Sequence, residues 1–100
     1  MLRAASSLEE RKPDTKTGQI YVKAIPLRNL SELDKIKAEV SEGNILIVRI
    51  TPIAKRSVEE TKEAVNELKA FTAMLGGDIA RLGTERIVIT PPSIRIWRGE

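Results

Sequence analysis

The spacing of hydrophobic and polar positions changes along the chain and divides it into short elements. Residues 20–26 (IYVKAIP) are rich in β-branched side chains and end at a proline, which predicts a first strand. Residues 29–44 have apolar side chains at helical spacing, with Asn29 or Ser31 as the cap and Gly43 as the stop. Residues 44–51 (NILIVRIT) hold five large aliphatic side chains without alternation, which predicts a strand buried on both faces.

A second helix is predicted after a basic connector at residues 53–56. Ser57 and Glu60 form a capping box at its start, and Gly76 and Gly77 supply the left-handed stop. Short apolar segments separated by turn residues follow, which indicates three more strands, at Asp78–Leu82, Arg86–Thr90 and residues 93–98. A hairpin tip at 83–85 separates the first two strands, and a corner at Pro91 and Pro92 precedes the last.

This order, βαβαβββ, predicts an α/β fold. Each helix joins two strands, which favours parallel crossovers, whereas the last three strands are joined by short turns and should be antiparallel neighbours. We therefore predict a two-layer sandwich in which two helices cover a five-stranded mixed sheet. The core domain is predicted at residues 20–98.

Residues 1–19 have the composition of a flexible leader and linker. The segment EERKPDTKTGQ is polar throughout and contains Pro13 and Gly18. Upstream of it, Met1, Leu2, Ala5 and Leu8 fall on one face of a short helix. Such a stripe can lie on a membrane surface, but without aromatic side chains it favours a frayed terminus over an anchor.

Composition excludes several classes of function. The 100 residues correspond to one domain, and the absence of cysteine and histidine removes disulfides, the commonest zinc ligands and the usual catalytic base. No serine has a candidate base, and Gly76-Gly77 precedes a strand, unlike a phosphate loop. We therefore predict a binding protein with no enzymatic activity, cofactor or metal.

Two features indicate what such a protein binds. Arginines at positions 81, 86, 95 and 98 are either guards of edge strands or, through Arg81 and Arg95, part of a groove for an acidic peptide or phosphates. The strand at 44–51 leaves apolar area on the second face of the sheet, so we expect self-association. It would use either that face or the apolar surface of the second helix at Ala70, Ala73 and Met74.

The stretch GGDIARLGTERIVITPPSI resembles the archaeal branch of the SepF family of cell-division proteins. The family signature is matched by an ordered set of residues: Gly77-Asp78-Ile79, Arg81, Gly83, Ile87-Val88-Ile89 and Pro91. Upstream, residues 22–57 keep the strand–helix–strand order of the family. The resemblance extends over residues 20–96.

The resemblance implies a non-enzymatic adaptor at the cytoplasmic face of the membrane, at the division site. Such proteins form homodimers, bind the C-terminal tail of the tubulin-like protein FtsZ, and tether its filaments through an N-terminal amphipathic helix; whether the dimers assemble into higher polymers stays open. The tail-binding surface would include Ile79, Arg81 and Ile87, the last at a position where the family has an aromatic residue. Gly77 would lie where two subunits pack closely.

The N-terminus departs from that pattern, and three explanations remain open: weak anchoring through many copies, a start further upstream, or a partner. Two other functions also remain as alternatives. Mildly basic charge, +3, permits a nucleic-acid-binding module, although the three aromatic residues are few for base stacking. A small ligand-sensing domain would require a buried pocket.

Overall fold

A computed structural model describes residues 18–99 of the chain. The predicted stripe at Met1, Leu2, Ala5 and Leu8 lies outside these residues. Four strands and three helices, with one 3₁₀ turn before the first helix, follow in this order: β1 (Val22–Pro26), the 3₁₀ turn (Leu30–Glu32), α1 (Leu33–Ser41), β2 (Ile45–Arg49), α2 (Thr51–Arg56), α3 (Val58–Leu75), β3 (Asp78–Leu82) and β4 (Arg86–Thr90).

The strands form one mixed sheet in the order β1-β2-β4-β3. β1 and β2 are parallel neighbours, as predicted from the helix that joins them. β4 is antiparallel to both β2 and β3 and lies between them, so the crossover through α3 passes over its position. As a result, β3 is an edge strand.

The predicted fifth strand at residues 93–98 is wrong, and the sheet has four strands. After a turn closed by the Ile94 N–H and the Pro91 carbonyl (3.1 Å), the chain bonds to side chains instead of to a backbone ladder. The Thr90 hydroxyl donates to the Ile94 carbonyl at 2.7 Å, and the Ile96 N–H donates to Asp78 Oδ2 at 2.9 Å. We call residues 94–99 the C-terminal arm.

The prediction of two helices is also wrong, because the basic connector is part of a third helix, α2. Pro52 lies in its first turn, where the missing N–H of proline would have no helical partner in any case. Ile53, one residue later, is fully buried and fixes this helix to the core. Pro52 therefore ends the strand and begins a helix.

The helix signals are confirmed for the most part. The Asn29 side chain caps the 3₁₀ turn by accepting from the Ser31 N–H at 3.0 Å, and Ser57 caps α3 by accepting from the Glu60 N–H at 3.1 Å. Gly76 ends α3 with a φ of 89°. Gly77 does not have a left-handed backbone, so that part of the prediction is wrong, but its N–H helps to end the helix by donating to the Thr72 carbonyl at 3.0 Å.

One core joins the helices to one face of the sheet. Helices α1 and α3 contact each other, and Lys37 Nζ lies 2.5 Å from Glu67 Oε2 across their junction. The core contains apolar side chains from every helix and the two central strands: Leu27, Leu33, Ile36, Val40, Leu46, Val48, Ile50, Ile53, Ala64, Leu68, Ile87 and Ile89.

The opposite face of the sheet, here called the open face, is apolar and only partly covered. Successive side chains of a strand point to opposite faces of the sheet, so the apolar residues that alternate with the core-facing positions lie on this face: Val22, Ala24, Ile45, Ile47, Ala80, Leu82 and Val88. Val22 is 63% exposed and Leu82 is 49% exposed. The apolar second face expected from residues 44–51 is therefore present.

Candidate functional site

The edge strand β3 and helix α3 border a small groove. Its volume is about 100 Å³, and it is lined by residues of α3, β3 and β4, namely Val65, Lys69, Ile79, Ala80, Arg81 and Ile87. A wider depression of about 420 Å³ adjoins it and shares Val65 and Arg81, with Lys62, Asn66 and Thr84 among its other residues. Neither lining contains an aspartate or a glutamate.

The structure brings together the three residues that the resemblance assigns to partner binding. Ile79 and Arg81 are two positions apart in β3, so their side chains lie on the same face of the strand. Arg81 is paired in register with Ile87 of β4. Ile87 is almost completely buried and contributes to the apolar floor, whereas Arg81 is exposed at the rim. Arg95, which was considered as a second arginine of such a groove, is not part of the lining.

Sequence reasoning missed the contribution of α3 to this groove. Lys62, Val65, Asn66 and Lys69 recur at helical spacing and lie along the side of α3 that borders β3. The sequence alone predicts no binding role for Val65 or for the two lysines. The sequence signal for this face of α3 is an apolar residue, Val65, with a lysine three positions before it and another four positions after it.

A carboxylate–guanidinium clamp holds the C-terminal arm beside the start of β3. Arg98 donates from Nη1 to Asp78 Oδ2 and from Nη2 to Asp78 Oδ1, both at 3.1 Å, and Nη2 also donates to the Ile79 carbonyl at 2.8 Å. The Arg98 guanidinium, helped by the Ile96 N–H, holds the pKa of Asp78 well below its usual range. The same pair raises the pKa of Arg98.

The clamp gives stability a dependence on acid pH. Because the pKa of Asp78 is lower in the folded chain than in the unfolded one, its contribution is complete above its ordinary pKa of 3.8 and is lost as pH falls below that value. We predict that Asp78→Asn makes the loss of unfolding free energy below about pH 4 shallower than in the parent chain.

The matched control for that prediction is Asp34→Asn. Asp34 is exposed on α1 and has no ion-pair partner in the described part of the chain. Urea unfolding at several pH values measures both variants. If Asp78→Asn and Asp34→Asn show the same pH dependence as the parent chain, the clamp does not contribute to acid-sensitive stability.

The residues assigned to subunit packing fall into two environments. Ala70, Ala73 and Met74 are exposed on the C-terminal half of α3, and Met74 is 79% exposed. Gly77 instead faces its own chain, because a Cβ atom there would lie 2.1 Å from the Thr90 carbonyl oxygen. Gly77 is thus required by the approach of β3 to β4, and its place in a dimer interface stays a prediction.

Comparison with known proteins decides the family. The family described as "Cell division protein SepF" matches residues 22–96. The chain belongs to the SepF family. No curated protein sequence gives a significant match.

Solved structures of SepF proteins share the fold. The SepF-like protein from Archaeoglobus fulgidus has a TM-score of 0.74 at 28% identity, over 80% of this chain and 95% of that one. The SepF-like protein from Pyrococcus furiosus has a TM-score of 0.73 at 29% identity, over 87% of this chain and 100% of that one. The cell division protein SepF from Methanobrevibacter smithii, in complex with FtsZ-CTD, has a TM-score of 0.70 at 19% identity, over 79% of this chain and 99% of that one.

These matches confirm the family resemblance inferred from the sequence, including its archaeal branch, and with it a role in cell division. Two negative observations apply to residues 18–99. The helices within residues 18–99 are all too short or too polar to span a bilayer. No three acidic side chains there lie close enough together to hold a metal ion.

Proposed function

We propose that this chain is a non-enzymatic adaptor of cell division that binds the C-terminal tail of FtsZ in the groove between α3 and β3. The observation that carries the proposal is the convergence of Ile79, Arg81 and Ile87 on one groove in a SepF protein. An apolar floor with cations at its rim suits a short peptide that carries both apolar and acidic side chains. The Methanobrevibacter smithii relative, solved with FtsZ-CTD, supports this choice of partner.

The direct test is a titration of the chain with a synthetic peptide of the FtsZ tail from the same organism. The expected result is saturable binding that is lost when the order of the peptide's residues is scrambled. Because composition and charge are the same in both peptides, equal affinity would indicate nonspecific attraction and would contradict a tail-binding groove.

The proposed adaptor is a homodimer that uses the apolar surface of α3 at Ala70, Ala73 and Met74. An apolar side chain as exposed as Met74 is typical of an interface when it lies beside further apolar residues. Dimers would present two grooves and so could hold two FtsZ tails at once, which raises the avidity for a filament.

Met74→Asp is predicted to shift the chain from dimer to monomer, because a carboxylate at the centre of an apolar contact would be buried without a partner. Light scattering at several protein concentrations measures the mass. Val22→Asp on the open face is the matched control, since Val22 is also exposed but lies on the other side of the sheet. A monomer produced by Val22→Asp and not by Met74→Asp would move the interface to the open face.

Membrane tethering completes the proposed role, with residues 1–19 as the segment that contacts the inner face of the membrane at the division site. The support is the family, for which the resemblance implies an N-terminal tether; the stripe at Met1, Leu2, Ala5 and Leu8 is the candidate contact, although its composition alone favours a frayed terminus. Flotation with liposomes tests it: the full chain should float with the vesicles, and a chain that starts at residue 20 should not. Equal flotation of both would contradict a role of this segment.

A further inference from the structure

The hydrogen-bond pattern of the sheet determines which backbone groups of β3 point outward. The Ile50 N–H donates to the Glu85 carbonyl at 2.8 Å, so in the antiparallel ladder the odd-numbered residues of β4 bond to β2. The even-numbered residues of β4 therefore bond to β3. It follows that the backbone N–H and C=O groups of Ile79 and Arg81 point away from β4, outward from the free edge of the sheet.

The clamp already occupies one of these two outward pairs. The Ile79 N–H donates to Asp78 Oδ1 at 3.0 Å, and the Ile79 carbonyl accepts from Arg98 Nη2 at 2.8 Å. Among residues 18–99, the outward N–H of Arg81 donates no hydrogen bond and its C=O accepts none. The edge of β3 is thus closed at Ile79 and open at Arg81.

The open position coincides with the groove. Arg81 belongs to the lining of both the groove and the wider depression, which together carry the cations Lys62, Lys69 and Arg81 and no acidic side chain. None of these three forms an ion pair within the described part of the chain. An extended peptide with carboxylate side chains satisfies the backbone groups of Arg81 and the charge of its surroundings at the same time.

We propose that the FtsZ tail, on the function proposed above, binds as a short strand added to the edge of β3. This strand exchanges backbone hydrogen bonds with Arg81 alone, because the Asp78–Arg98 clamp closes the edge at Ile79. The clamp is thus a positioning device: it sets the register of the peptide, while the apolar floor at Ile79 and Ile87 and the lysines of α3 select its side chains. The opposite edge, β1, borders neither the groove nor the wider depression, and Pro26 at its end has no N–H to donate.

A scan of N-methylated tail peptides tests this binding mode. One peptide N–H donates to the Arg81 carbonyl, so methylation of that nitrogen should weaken binding about tenfold. Methylation of either neighbouring nitrogen, whose N–H faces away from β3, should weaken binding by less than about threefold. If the parent peptide binds but no position is sensitive, the added strand is wrong. Sensitivity at most internal positions would indicate a helical peptide and would equally overturn it.

Arg98→Ala provides the second arm of the test. Removing the guanidinium frees the Ile79 carbonyl, so a second sensitive position should appear two residues from the first. Two alternating sensitive positions already in the parent chain, or an unchanged scan in Arg98→Ala, would contradict the positioning role of the clamp. A parent peptide that does not bind at all would refute the proposed function itself, which separates the two failures.

Discussion

Replacing Arg81 by glutamate is expected to lower the affinity for the FtsZ tail by about 10- to 100-fold. A hydrogen bond to a charged group contributes about 1.5–3 kcal/mol, and the new carboxylate would also repel acidic side chains of the peptide. The fold should be retained, because the Arg81 side chain is exposed and forms no ion pair with another described residue. Peptide titration measures the affinity, and thermal unfolding checks the fold.

Arg86→Glu is the matched control for that substitution. Arg86 is also an exposed arginine of the β3–β4 hairpin, but strand alternation places it on the open face, away from the groove. The same change of net charge should therefore leave the affinity within about twofold at physiological salt, because the Arg86 side chain is on the opposite face of the sheet and salt screens exposed charges. Equal losses in the two variants would attribute binding to overall charge.

The second large effect is expected at Gly77, where even Gly77→Ala should destabilise the chain by about 1–3 kcal/mol. The added Cβ would lie 2.1 Å from the Thr90 carbonyl oxygen, which is a backbone atom and cannot rotate away. Relief of this overlap requires β3 and β4 to separate at the Asp78–Thr90 pair, next to the clamp. Urea unfolding of the parent and variant chains measures the difference.

The control for Gly77 is Gly83→Asn, at the exposed hairpin tip. A side chain there meets no atom within 4 Å, and asparagine tolerates the left-handed backbone of Gly83. Its unfolding free energy should stay within about 0.5 kcal/mol of the parent. If Gly77→Ala keeps full stability and instead lowers the mass in solution, Gly77 is a residue of the dimer interface, as the family resemblance implies, and its role within the chain is secondary.

Local signals in the sequence were sufficient to predict most elements and part of the site. Side-chain caps at Asn29 and Ser57 and the left-handed Gly76 depend on neighbouring residues only, so the helix boundaries could be inferred closely. The grouping of Ile79, Arg81 and Ile87 was suggested by the family, and strand period and hairpin register explain it. The strand period and the hairpin register are both determined by a few residues that are adjacent in the sequence.

The features that were missed depend on contacts between distant segments. The arm at residues 94–99 has strand-like composition, but its backbone bonds to the side chains of Asp78 and Thr90 instead of pairing with the backbone of β3. The lysines of α3 enter the groove only because β4 inserts between β2 and β3, which puts β3 at the edge beside that helix. Sequence periodicity carries no information on strand order, so these contacts could not be predicted.

The most direct measurement of the central claim is co-sedimentation with FtsZ filaments from the same organism. Filaments of full-length FtsZ are compared with filaments of FtsZ from which the C-terminal tail has been removed, at equal polymer mass. The chain is predicted to pellet with the full-length filaments and to remain in the supernatant with the tail-less ones. Equal amounts in both pellets, or in neither, would contradict the assignment of this SepF protein as an adaptor that binds the FtsZ tail.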